Sequence, residues 1–404
     1  MRRIISVILC FVILFGCVGC KSDKNTMSSK SLNLYVDSKD RYSLDILKTM
    51  VDEYAKVKPN VKVNINYSLG DKIESDIGKN NIDIIATTRD KVIKLSGKGL
   101  LSDLSSSYEK NKISERFYPS VNAYGRVGDK YYGIPVIPYT MEIFSNKDNL
   151  SKLKISAPQN VKDLLNVIKV LNSHSVKVPV VQNQDITLNE ALFSIIVSNC
   201  VDIQKVENSY DSGANAYKAL KDMQVPFDNL NKIVKEGYIN SNSFENGSDN
   251  IIESFNNGSI PILSAFSYNK VDNVGGNVSI IDNYTTSSIK VSAPEIVNSI
   301  LCVPMNTINS KEVDEFLKFA FDDKNQTKLV SLGYVTGCKT TNKSLTGIKS
   351  IEALHLEKNS EQSRTYIYSV PGKVRVAIAS KIEQILKGGY NGKEWNDIID
   401  SAYK

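Results

Sequence analysis

The residues able to do chemistry in this chain do not assemble into a reaction centre. His174 and His355 are its only histidines, and neither stands with Cys, Asp or Glu in a metal-ligand spacing. There is no G-x-S-x-G, P-loop or G-x-G-x-x-G. Asp322-Asp323 stands beside Lys324 at a helix boundary and reads as a solvated pair. General acid–base work by two distant carboxylates leaves no mark in a sequence, because carboxylates are everywhere. Of the cysteines, Cys200, Cys302 and Cys338 lie in the body, an odd number at no framework spacing. We expect them to be buried free thiols, with at most one bridge among them. Neither a cofactor nor a metal is expected, and the chain does not read as an enzyme.

Binding chemistry is better represented. Short polar or aromatic clusters follow the apolar runs: Lys39-Asp40-Arg41, Thr87-Thr88-Arg89-Asp90, Pro138-Tyr139-Thr140 and Phe266-Ser267-Tyr268, with Tyr366 and Tyr368 nearer the C-terminus. Carboxylates and hydroxyls hydrogen-bond a polar solute, and Tyr or Phe offers it a ring face. The candidate contacts are Asp40, Arg41, Thr88, Asp90, Tyr139, Phe266 or Tyr268, and Tyr366 or Tyr368. Solvated turns are the alternative for the polar ones, and ordinary half-buried packing for the tyrosines. Trp395 is set apart, because Ile398, Ile399 and Ala402 share its helical face in a core stripe.

The elements that must position these clusters alternate between strand and helix. Residues 32–36 (LNLYV) and 61–67 (VKVNINY) alternate as strands. Leu44, Leu47, Val51 and Tyr54 recur at helical spacing between them, and Pro59 closes that helix. A helix over 71–78 and a buried strand over 83–86 complete a β-α-β-α-β order, which predicts an α/β lobe with a mostly parallel sheet. Residues 125–130 form a turn before an extended piece at 131–135. A second α/β block follows, with a strand at 143–145 and helices over 161–171, 188–197, 214–223, 230–236 and 251–255. It closes with a buried strand at 260–264. A strand at 300–304 and helices over 313–321, 374–386 and 393–402 finish the chain. Ligands of open α/β sheets sit at the C-terminal ends of strands, which is where most of the candidate clusters fall.

The N-terminus carries its own signal. Arg2 and Arg3 precede a 13-residue apolar run at 4–16, short of the ~20 residues a membrane-spanning helix needs but right for a signal peptide. Leu14-Phe15-Gly16-Cys17 resembles a bacterial lipobox, with a small residue before the cysteine that takes the lipid. Cys20 is the competing position, and we favour Cys17. Residues 17–30 are then a polar tether that places the body outside the cytoplasmic membrane. The remaining 404 − 16 = 388 residues fill two or three domains at about 100–200 each. Fifty Lys and Arg against 44 Asp and Glu give +6 spread along the chain, with no clustered basic face for nucleic acid.

In their order, these segments resemble bacterial extracellular solute-binding proteins of family 1, the class that includes the maltodextrin-binding proteins. The resemblance runs through residues 32–37 with Pro59-Asn60-Val61, residues 81–88 (NIDIIATT) with 99–104, and 131–135 (YYGIP) with Asn146-Lys147-Asp148. It continues through residues 254–263, Val303-Pro304 with 312–319, residues 326–329, and Gly333-Tyr334. It implies an α/β fold of the periplasmic-binding type, two lobes joined by hinge crossovers around a cleft. Residues 31–139 and 279–330 would form lobe 1, and residues 140–278 and 331–404 lobe 2. It further implies capture of a small solute, foremost a carbohydrate, and delivery to an ABC permease by a lipid-anchored monomer. Relatives place a ligand contact at the position of Tyr139, and often a Trp where this chain has Thr87-Thr88. That departure leaves Phe266 and Tyr268 as the stacking candidates. Arg41, Arg89 and Asp90 would also suit a charged solute. A surface lipoprotein acting as a sensor or partner adaptor is the alternative function.

Overall fold

The structure, a computed structural model, describes residues 30–67, 73–79, 82–183, 185–196, 200–248, 250–272, 276–286 and 289–404. The leader, Cys17, Cys20 and all of the expected tether except Lys30 lie outside these residues.

Strand β1 (Lys30–Asp37) divides its side chains as its alternation predicts. Leu32, Leu34 and Val36 enter one apolar layer, and Tyr35 packs against another. Helix α1 (Arg41–Val57) begins where the Asp40 carboxylate accepts a hydrogen bond from Ser43 N at 2.9 Å. It buries Ile46, Leu47, Met50, Val51 and Tyr54, and stops where Lys58 meets Pro59, whose ring disfavours a helical residue before it. Strands β2 (Val61–Tyr67) and β3 (Ile84–Thr87) pair parallel with β1 on its two sides. Helix α2 (Arg89–Gly97) follows β3 after the single residue Thr88. Ile300–Cys302 and Ile134–Pro135 complete this sheet, both antiparallel to their neighbours. Gly133 lies so close to that edge that a Cβ would stand 2.5 Å from Ile300 Cγ2 and 2.7 Å from Cys302 Sγ, which accounts for the glycine at this turn.

The second sheet is built around β4 (Tyr139–Asn146), a strand buried at every residue. Tyr139, Met141 and Ile143 face one core and Phe144 the other. Helix α3 (Ile203–Asn208) adds Ile203 and Val206 to the first of these cores. Strand β5 (Ile262–Phe266) runs antiparallel to β4 and parallel to Val178–Val181, which in turn pairs parallel with Phe244–Gly247. Val278–Ile280 and Glu295–Ile296 pair antiparallel with β4. The helix Ser310–Ala320 is followed by Asp323–Ser331, which packs Leu329 into the core of the first sheet, and Cys338 beyond it joins the same core. Helices α4 (Gly347–Lys358) and α5 (Gly372–Leu386) follow, then Glu394–Ala402, where Trp395, Ile398 and Ile399 fill the second core. Two sheets, each covered on both faces, give the expected two-lobed α/β architecture.

Local differences have local causes. The expected helix over 214–223 is divided at Leu220 into Ala214–Ala219 and a 3-10 turn, Lys221–Gln224. The one expected over 230–236 starts earlier, at Val225, because Pro226 suits a first helical turn. Cys302 and Cys338 are buried, Cys200 is half-buried, and none of the three is in a disulfide.

Candidate functional site

Between the sheets lies a cavity of about 390 Å³, within the roughly 300–1,000 Å³ of small-molecule sites. One wall is Asp37, Ser38 and Lys39, where β1 ends, with Thr88, Asp90 and Lys91, where β3 passes into α2. The other is Asp185, which follows the strand Val178–Val181, with Tyr368, Gly372 and Arg375 from the start of α5 and the segment before it. The lining therefore gathers at strand ends, where the crossing chain leaves backbone and side chains free to meet a ligand.

The polar groups around this cavity are held by named partners. Lys91 donates to Asp37, and Thr88 Oγ1 donates to Asp90. Tyr368 donates to Asp185 Oδ2 at 2.8 Å. Arg375 pairs with the buried Glu190 and lies 5.2 Å from the centre of the Tyr368 ring. Burial pushes the Asp90 carboxyl above its ordinary range, against the pull of Thr88 and Lys91. The result is a small chamber of carboxylates, hydroxyls and ammonium groups beside one aromatic ring. It has the donors and acceptors to grip a polar solute.

Thr88, Asp90 and Tyr368 of the predicted contacts come together here, along with Lys39. The others lie elsewhere. Asp40 is buried as the cap of α1, and Arg41 is exposed on that helix's first turn. Tyr139 is fully buried, and its hydroxyl accepts hydrogen bonds from Asn183 Nδ2 at 3.0 Å and Asn298 Nδ2 at 2.9 Å. Phe266 is equally buried, edge-on to Tyr139 at 5.4 Å. The half-buried Tyr268 stacks on Tyr42 at 4.2 Å and on Phe266 at 5.3 Å, so its neighbours are rings of this chain. Tyr366 packs edge-on against Phe193, and Thr87 is buried within β3. Arg89 turns into a buried ion cluster with Glu207. Sequence reasoning missed Asp37, Lys91, Asp185 and Arg375. The strand-end rule alone would have found Asp37, the last residue of β1; nothing in the sequence ties Arg375 to Glu190.

A profile of the bacterial extracellular solute-binding protein family matches residues 42–327, and the chain belongs to that family. Solved structures show the same fold at low identity. A probable secreted solute-binding lipoprotein from Streptomyces coelicolor is 16% identical, with a TM-score of 0.70 over 92% of this chain and 98% of its own. The sugar-binding protein MalE from Xanthomonas citri is 12% identical, with a TM-score of 0.65 over 93% and 96%. An ABC transporter solute-binding protein from Agrobacterium radiobacter K84, solved in complex with ribitol, is 14% identical, with a TM-score of 0.64 over 93% and 98%. No curated protein sequence matches the chain.

Proposed function

We propose that this protein captures a small carbohydrate or polyol in the cavity between its lobes and passes it to an ABC permease. The observation that carries this reading is the cavity itself, walled by both lobes and lined by hydroxyls and carboxylates that suit a polyhydroxylated solute. Binding across two lobes favours their closed arrangement, since a ligand touching both walls gains its full contacts only there. The MalE and ribitol-bound neighbours support the solute class, and the family supports the transport role.

The packing supports a division in which residues 331–342 go with lobe 1, since Cys338 lies in the first core and bridges to Phe117. The protein works as a monomer held to the extracytoplasmic face of the cell membrane by a lipid on Cys17, with Cys20 as the competing site. The order of arginines, apolar run, small residue and cysteine supports that anchor. No helix among the described residues is long and apolar enough to cross a membrane. Metabolic labelling with a fatty acid tests the anchor, and loss of label in Cys17→Ser but not in Cys20→Ser is the expected result.

A thermal-shift panel of monosaccharides, oligosaccharides, polyols, amino acids, polyamines and phosphorylated solutes tests the function. A solute at about 100 times its dissociation constant adds about 2.7 kcal/mol and raises Tm by several degrees. A response confined to amino acids or polyamines would overturn the carbohydrate reading. Silence across the panel would favour the partner-adaptor function.

A further inference from the structure

Thr88 and Asp90 line the cavity, and Arg89 between them enters a buried ion cluster. Its Nε and Nη2 donate to the two carboxylate oxygens of Glu207 at 3.1 and 2.9 Å, and its Nη1 donates to the Tyr124 carbonyl at 3.2 Å. Glu207 also accepts from Arg364 Nη1 at 3.4 Å and from Ser369 Oγ at 3.0 Å. Ser369 directly follows Tyr368, which lines the opposite wall. The three charged side chains are only 4–7% exposed. Burial would raise the Glu207 carboxyl, but Arg89 and Arg364 together hold it below its ordinary range, so the cluster is ionised.

The pair joins elements of different cores. Val92 and Leu95 of α2 pack on the first sheet, while Ile203 and Val206 of α3 pack on the second. We propose that Arg89–Glu207 is a reversible latch that draws the two lobes, and with them both cavity walls, towards closure before any solute arrives. Two parallel hydrogen bonds fix the angle between α2 and α3 as well as their distance.

Breaking a buried ion pair is normally expensive because it strands one charge. Here both partners keep company when the lobes part. Glu207 keeps Ser369 and, once Arg364 Nη1 gives up its 3.1 Å bond to the Ala123 carbonyl, keeps Arg364, while Arg89 keeps the Tyr124 carbonyl and gains water. That arrangement is what distinguishes a latch from a permanent tie. Arg89 and Glu207 are positioning residues: they touch no solute, but they hold Thr88, Asp90 and Tyr368 in register.

The inference rests on the lobe-closure reading, but its test requires no solute. Small-angle X-ray scattering of the solute-free protein is compared with that of Arg89→Gln and Glu207→Gln. Both variants should show a larger radius of gyration, with the closed-to-open ratio reduced on the order of tenfold, about 1.4 kcal/mol. The double variant should open no further than either single one, because both remove the same interaction. Arg89→Gln decides the matter if Glu207→Gln fails to fold, since it leaves Glu207 paired. Scattering unchanged in a folded Arg89→Gln variant, with or without a fall in Tm, would make the pair a structural tie and overturn the latch. That failure would leave the carbohydrate reading intact, and a silent solute panel would leave the scattering result intact.

Discussion

The Tyr139 hydroxyl answers two amides, Asn183 and Asn298, from inside the molecule. Tyr139→Phe leaves both donors without that acceptor, and we expect a loss of about 1–3 kcal/mol in denaturant unfolding. Glu352 gives a pH prediction. It lies one turn before His355, which meets the Glu142 carboxylate at 2.9 Å. Burial pushes the Glu352 carboxyl from 4.5 up to about 8, against Lys349 and with help from Glu142. The folded protein therefore holds this proton more tightly than the unfolded chain does. The stability it contributes is complete below the unfolded value and is lost as pH rises through about 8. Between pH 5 and pH 9, Tm of Glu352→Gln should fall less steeply than that of the parent, and parallel profiles would refute the assignment. Three cavity residues, Thr88, Asp90 and Tyr368, were legible because they follow apolar runs or stand beside a second tyrosine. Tyr139 and Phe266, expected in the cleft, are buried against other rings here, and a ring that packs and a ring that binds look alike in a sequence.

Helices with a clean apolar stripe were readable, and elements that bury polar groups were not. Helix α1 shows its face at Leu47, Val51 and Tyr54, as does the helix of Trp395 at Ile398 and Ile399. Helix α4 buries Glu352 and His355 while Ile351 and Leu354 stand exposed, so its period is scrambled and no helix was expected there. Strand β4 shows a second limit. It is buried on both faces and holds Thr140 and Glu142, so only the apolar piece around 143–145 was recognisable. Asp40 supplies the prediction at this scale, because the carboxylate expected to touch solute caps α1. Asp40→Ala should cost about 1 kcal/mol, with Tm lower by a few degrees in a calorimetric scan.

At the scale of the whole molecule, alternation of strand and helix announced two successive α/β blocks, and the resemblance to family 1 solute-binding proteins supplied their arrangement as two lobes. The burial of Cys338 in the first core was not announced, since nothing local in that residue reveals that it will join the cluster holding Phe117 and Phe321. The single Trp gives a whole-molecule test. Trp395 is buried in the second core and donates to the Tyr217 carbonyl at 2.7 Å, away from the residues lining the cavity. Its emission should follow unfolding and stay unchanged on solute binding, while Trp395→Ala should cost about 3–5 kcal/mol. In the function proposed above, both lobes grip a carbohydrate in one cavity. Isothermal titration of the parent and Asp90→Ala with saccharides and polyols tests it most directly. We expect one solute per chain for the parent and affinity at least about tenfold weaker for the variant, a loss of about 1.4 kcal/mol or more. Equal affinity in the two proteins, or no heat with any carbohydrate, would contradict it.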